Sequence, residues 1–245
     1  RLDAVIISHD HYDHLDYPTI RQLAKVGVPF VTSLGVGAHL EAWGVRPELI
    51  TELDWWESHQ VPNSEVVVTA APSQHFSGRG LKDRNATLWS SFVLRSDRHA
   101  VFFSGDTGLT TEYQNIRDRL GPFDLVLLPI GAYNHRWPDV HMTPEETIRA
   151  VGELRGGVLL PVHWATFNLG FHSWAEPVER VRAQMMTALK RETTSPNDIS
   201  SRLWWRTAFP GHPYSQPTNG TLESVPTIVR DDLKAYVGRV MARDN

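Results

Sequence analysis

Apolar and polar positions fall in blocks along this chain. Short runs rich in Val, Ile, Leu and Phe recur at 2–7, 28–32, 65–71, 89–94, 100–103, 125–129 and 158–162. Their length and branched content predict strands buried on both faces. Between some of them the apolar spacing becomes helical, at 18–26, at 37–43 before Gly44, and at 112–120 before Gly121. The clearest helix start is Thr143, with Pro144 at the first helical position and Glu146 placed to complete a capping box. Gly156 and Gly157 are predicted to end that helix, and a further one is predicted over 177–191. From Glu192 to Val229 the text turns to Ser, Thr, Pro and Asn and predicts a loop-rich extension, followed by a last helix over 230–243. Strands mixed with helices predict an α/β layered fold.

Composition narrows the function classes. With 245 residues, 41% of them hydrophobic, the chain can bury a substantial core in one large domain or two small ones. A net charge of -4 without a clustered basic face argues against nucleic acid as a partner. The absence of cysteine removes disulfides, thiolate metal sites and a cysteine nucleophile. No apolar run is long enough to cross a bilayer and no signal peptide is visible, so a cytoplasmic location is the default expectation. The chain opens on Arg1 and enters an apolar run at once, so a fragment of a longer protein is one reading.

The chemistry starts at "SHDHYDHLDY". His9, His11, Asp13 and His14 form an H-x-H-x-D-H pattern directly after an apolar run. Residues two apart at a strand end point the same way. Imidazole and carboxylate without thiolate suit Zn²⁺ or a similar divalent ion. Four potential ligands in so short a stretch are too many for one tetrahedral ion and point to two. Three further runs share the design: His75 follows "EVVVTAAPSQ", Asp106 follows "AVFFSG" and His163 follows "GVLLPV". Convergence of four strand ends is far more specific than any one of them.

The blocks "SHDHYDHLDY", "PSQHFSGRG", "LWSSFVL", "FFSGDTG", "GPFDLVLLPIGAYNHRW", "HMTPEE" and "PVHWATFNL" cover roughly residues 1–190 in order. In them the chain resembles the metallo-β-lactamase superfamily and, within it, the N-acylphosphatidylethanolamine-hydrolysing phospholipase D family. The resemblance implies an αββα sandwich, here without some of the family's N-terminal strands. It implies one zinc ion on His9, His11 and His75, a second on Asp13, His14 and His163, and Asp106 bridging both. It implies a hydroxide between the metals as nucleophile and a phospholipid or other phosphodiester as substrate. His141 corresponds to a position near the substrate phosphate, where it would orient that group or protonate the leaving group. Asp13 and His141 are therefore the catalytic candidates, and His141 the substrate-binding one. A lipid substrate would allow peripheral membrane contact; the oligomeric state is left open.

The domain reading is 1–191 for the hydrolase domain and 192–245 for the extension. Two rival functions stand beside the first: a lactonase or small-molecule phosphodiesterase of the same superfamily, and a non-catalytic fragment that needs a missing N-terminal segment. Bland roles are expected elsewhere. His172 reads as structural support, Asp16 and Tyr17 as either metal-site support or a turn before Pro18, and Asp10 as solvent-facing or bonded to backbone. His135 is a marginal candidate for the site, and His39, His59, His99 and His212 are read as having no catalytic part. Trp55, Trp56, Trp204 and Trp205 read as core packing rather than an apolar rim.

Overall fold

The structure, a computed structural model, describes residues 2–217, 219–229, 231, 232 and 235. The last predicted helix, over 230–243, lies mostly outside the described residues. The chain divides into two compact units, Arg1–Val178 and Glu179–Asn245.

The first unit holds two sheets. Strands β1 (Val5–Ile7), β2 (Phe30–Ser33) and β3 (Ile50–Leu53) form a parallel sheet in that order. Strands β4 (Ser58–Gln60), β5 (Val67–Ala71), β6 (Ser91–Arg95), β7 (Ala100–Phe103), β8 (Phe123–Pro129) and β9 (Gly156–Val162) form the second. Its first three pairings are antiparallel and the last two parallel. Because β5 and β7 are both antiparallel to β6, the strands β5, β7, β8 and β9 all run the same way. Their C-terminal ends therefore share one edge of the sheet.

Three apolar clusters make four layers of these elements. Val31 and Leu53 of the small sheet pack with Val68, Ala70 and Phe92 of the large one. Ile7 and Phe30 pack under helices α1 (Tyr17–Val26) and α2 (Gly37–Ala42) through Ile20 and Leu40. Phe102, Val126 and Leu128 pack under α3 (Glu112–Leu120) and α4 (Pro144–Leu154) through Tyr113, Ile116, Ala150 and Leu154. This is a helix–sheet–sheet–helix sandwich. Phe92 and Phe102 are fully buried, and truncating either to Ala would cost about 3–5 kcal/mol.

Local signals explain most boundaries. Asp16 caps α1, its Oδ2 accepting from the Thr19 backbone N–H at 2.9 Å and the Thr19 hydroxyl at 2.6 Å. The capping box at Thr143 and Glu146 forms as predicted. Its far end differs: the helix stops at Leu154, Arg155 takes the left-handed cap, and Gly156 and Gly157 open β9 instead. Pairing with β8 claims those two residues. Strands β3 and β4 were not predicted, being short and half polar. The expectation of strands buried on both faces holds for β2 but not for β9, whose Val158 is exposed.

In the second unit, α5 (Glu176–Glu192), most of which it contains, is followed by α6 (Pro196–Ala208). Helix α6 lies within the stretch predicted to be loop. Ser195 caps it by accepting from the Asp198 N–H, and Pro196 occupies its first turn. Trp205 stacks on Phe209 at 5.3 Å, and Arg202 pairs with Glu192 at 3.1 Å. Trp204 and Trp205 are half exposed rather than core.

Candidate metal centre

Each predicted ligand is carried by a strand end. His9 and His11 follow β1, His75 follows β5, Asp106 follows β7 and His163 follows β9 directly. Asp13 and His14 lie on the turn before α1, where the His14 and Leu15 amides bond back to the His11 carbonyl. His141 lies between β8 and the Thr143 cap of α4. Gly105, at φ +58°, makes the turn that presents Asp106. A Cβ there would come within 2.6 Å of Ser8, so glycine is required for β7 to close against the first motif. Ser8 in turn ties the sheets together, its carbonyl accepting from the Ser33 hydroxyl and the Ser90 amide.

The side chains gather into two groups, His9, His11 and His75, and Asp13, His14, Asp106 and His163. In the first, His11 Nδ1 lies 3.0 Å from His9 Nε2 and 3.2 Å from His75 Nε2. Nitrogens held tetrahedrally at the zinc–imidazole bond length are separated by about 3.3 Å. The His75 ring is aimed by its other nitrogen, which donates to the Val140 carbonyl at 3.2 Å. In the second group, Asp13 Oδ2 lies 3.3 Å from His163 Nε2 and 3.5 Å from His14 Nε2.

Asp106 stands between the groups. Its Oδ2 has His14 Nε2 at 3.1 Å, His163 Nε2 at 3.3 Å, His75 Nε2 at 3.8 Å and His9 Nε2 at 3.9 Å. His141 Nδ1 also approaches it, at 3.9 Å, and the His141 ring stacks on His163 at 5.2 Å. Yet Asp106 Oδ1, His14 Nε2 and His141 Nδ1 are buried without a hydrogen-bond partner. His14 Nε2 is close to the carboxylate but off the line of a hydrogen bond. Buried polar atoms normally have partners. Convergent imidazole and carboxylate donors left in this state fit divalent cations of the zinc type.

The electrostatics agree with ligand chemistry. Burial drives the His75 pKa down to about 3 and that of His141 to about 4, and lowers those of His9 and His11. These rings are neutral at pH 7, the form that offers a lone pair. Burial alone would raise the pKa of Asp106, but the neighbouring His14, His163 and His9 hold it well below the usual carboxylate range. Burial likewise opposes the net shifts of Asp13 and His163. Their mutual hydrogen bond and the nearby charges lower Asp13 and raise His163.

Other predicted residues fall outside the cluster. His172 is structural: its Nε2 accepts from the Ala132 amide at 3.0 Å and its ring stacks on Tyr133. His135 is exposed on its loop. Trp55 donates to the Trp89 carbonyl, and Trp56 is covered by the Arg119 guanidinium.

Sequence reasoning missed Arg79 and left Asp10 between two roles, of which the structure keeps the backbone hydrogen bond. Asp10 is 1% exposed, not solvent-facing. Its Oδ1 accepts from the Gly78 amide at 2.8 Å, and His39 Nε2 lies 3.7 Å from its Oδ2. Arg79 braces the first motif, donating to the Asp10 and Leu15 carbonyls and stacking 4.0 Å from the Tyr12 ring. The "SGRG" block was the available signal, but it gave no hint of the partners.

Beside the second group lies a cavity of about 120 Å³, lined by Asp13, Ala132, His163, Trp164, Thr166, Phe167 and Leu169. Phe167 and Leu169 remain largely exposed, so one wall of the site is apolar and open to solvent.

Comparison with known proteins accords with this geometry. A family model described as the β-lactamase superfamily domain matches residues 1–164. An uncharacterised protein of Mycobacterium tuberculosis is 54% identical over 188 residues, 74% of this chain and 49% of that protein. N-acyl-phosphatidylethanolamine-hydrolyzing phospholipase D 1 of Caenorhabditis elegans is 33% identical over 75% of this chain and 55% of that enzyme. The chain thus spans about half the length of these relatives. Among solved structures, the metallo hydrolase Igni18 of Ignicoccus hospitalis shares the fold, with a TM-score of 0.59 and 23% identity over 74% of this chain and 72% of that one.

Proposed function

The chain belongs to the metallo-β-lactamase superfamily, and on that premise we propose that it is a metal-dependent hydrolase, specifically a phosphodiesterase of phospholipase D type acting on N-acylphosphatidylethanolamine-like phospholipids. Two zinc ions would be its cofactors: His9, His11 and His75 would hold one, Asp13, His14 and His163 the other, and Asp106 lies within reach of both groups. The observation that carries the reading is Asp106, a single buried carboxylate with ring nitrogens from both groups within 4 Å of one oxygen. Bound ions would acidify a water and offset charge on the attacked phosphate.

The chain's own residues supply the rest. The Asp13 carboxylate, whose Oδ2 faces His14 and His163, would keep its other oxygen to take a proton from the attacking water. His141 is neutral at pH 7 through burial and stacks on His163, which places it beside both groups. The neutral ring donates a hydrogen bond to a phosphate oxygen and so orients it, and the proton that Asp13 has taken from the water passes to the leaving alkoxide. Water oxygen bonds to phosphorus, the bond from phosphorus to the ethanolamine oxygen breaks, and the products are a phosphatidic acid and an N-acylethanolamine. The exposed apolar wall of Trp164, Phe167 and Leu169 suits an acyl chain and supports a lipid over a small polar diester. No helix among the described residues is long and apolar enough to cross a membrane.

The test is turnover by zinc-loaded protein on N-acylphosphatidylethanolamine in mixed micelles, beside an acyl lactone. Release of N-acylethanolamine in preference to lactone opening is expected. Lactone opening alone would move the assignment to the lactonase reading. A protein that retains far less than one metal per chain and acts on neither would support the incomplete-fragment reading.

A further inference from the structure

The wall of the metal centre opposite in chemistry to the apolar one is built by the loop after β5. Phe76, next to the ligand His75, contacts both the His11 and His75 rings, with centroids 4.6 and 4.9 Å away. On Phe76 rides Arg84, its guanidinium carbon 4.6 Å from the ring centroid. Arg84 is exposed, and among the described residues it has no acidic partner. The nearest carboxylate in sequence, Asp83, is already occupied, accepting from the Arg79 and Gly80 amides at 2.9 and 2.7 Å.

The loop that carries Arg84 is fixed at both ends. Gly78 sits at φ +133°, and a Cβ there would come within 3.2 Å of the Arg84 Cα and the Asp83 carbonyl. The Asn85 amide donates to the Ser77 carbonyl at 3.0 Å, and the Gly78 amide is held by the buried Asp10. An arginine on a pinned turn, supported by an aromatic face and left without a counter-charge, is arranged to receive an anion. It stands one aromatic ring away from the ligand histidines. That separation, one ring wide, is one that a second group on the same molecule can span.

We propose that Arg84, seated on Phe76, is a specificity-determining residue that selects substrates carrying a second anionic group, a phosphate or carboxylate, a few bonds from the scissile ester. The proposal rests on the metal-centre reading above and concerns which member of the substrate class is preferred. Its test does not depend on turnover. Zinc-saturated protein, freed of excess metal, is titrated calorimetrically with inorganic phosphate and with propane-1,3-diyl bisphosphate. The wild type is expected to bind the bisphosphate about tenfold more tightly, the scale of one charge-assisted contact. Arg84→Ala should lose that preference while keeping metal content and phosphate affinity, and Arg84→Lys should keep part of it. Equal preference in wild type and Arg84→Ala would overturn the proposal. So would an Arg84→Ala protein with unchanged bisphosphate binding but weaker sedimentation with vesicles of phosphatidylcholine and phosphatidic acid, since Arg84 would then be a membrane contact. If the bisphosphate preference holds but no phosphodiester is cleaved, the assigned reaction fails and the anion seat stands.

Discussion

The two ligand groups are built alike and charged differently. His9, His11 and His75 are all imidazole, and burial pushes each of them toward the neutral form. Asp13, His14, Asp106 and His163 mix rings with carboxylates, and there His163 is shifted the opposite way. One side of the centre is prepared for a cation by desolvation, the other by negative charge. Strand ends supply the positions in both cases; the neighbours decide what each position can hold. Asp106 belongs to the second group and reaches His9 and His75 of the first.

The strongest way to break this comparison is Asp106→Ala. Loss of an outer partner of a metal ligand costs about 10- to 100-fold in affinity. Loss of the shared carboxylate should exceed about 100-fold at both groups, and elemental analysis of protein purified without added zinc should show both metals reduced. If only one falls, the carboxylate serves one group alone. Next come His75→Ala and His163→Ala, each expected to remove about one metal per chain and leave the other. His141→Gln should keep the metal content and lower kcat on the proposed phospholipid substrate by roughly 10- to 100-fold, the scale of one lost hydrogen bond to a charged group.

A pH titration of metal-free protein sharpens the contrast. His75 at about 3 and His141 at about 4 have folded pKa values below the unfolded 6.5, so the unfolded chain binds more protons between those values. Their contribution is present above pH 6.5 and is lost as pH falls toward 4. The lowered carboxylates Asp13 and Asp106 act in the same sense at lower pH. His163 acts oppositely: its raised pKa stabilises the fold below pH 6.5 and that part is lost as pH rises. The net expectation is a Tm that falls from pH 7 to pH 4, and the slope should steepen in His163→Gln. Smallest is Arg79→Ala, which frees the Asp10 and Leu15 carbonyls. It should weaken metal at the all-imidazole group by about tenfold and spare the other.

Much of this centre can be read from sequence because each ligand follows an apolar run, and a run of buried β-branched residues announces its own end. The capping box at Thr143 marks α4 for the same reason: it is a local device, complete within four residues. What escapes is either too short or too distant. Strands β3 and β4 carry Thr, Glu, Ser, His and Gln and are held as strands by their neighbours. Helix α6 hides behind a Ser/Pro-rich start that also reads as a turn. Asp10 and Arg79 acquire their roles only when the first motif meets the loop after β5, a contact that no spacing along the chain encodes.

The shared direction of β5, β7, β8 and β9 also leaves the molecule with a quiet side. The turn at 96–99 between β6 and β7 lies at the N-terminal end of β7, and its residues 97–99 are exposed. Asp106 follows the other end of the same strand, and His75, His141 and His163 follow the matching ends of β5, β8 and β9. That turn is a natural anchoring point for a dye, an affinity tag or a solid support: cargo placed there is separated from Asp106 by the full length of β7, and the edge that carries the ligand cluster stays free.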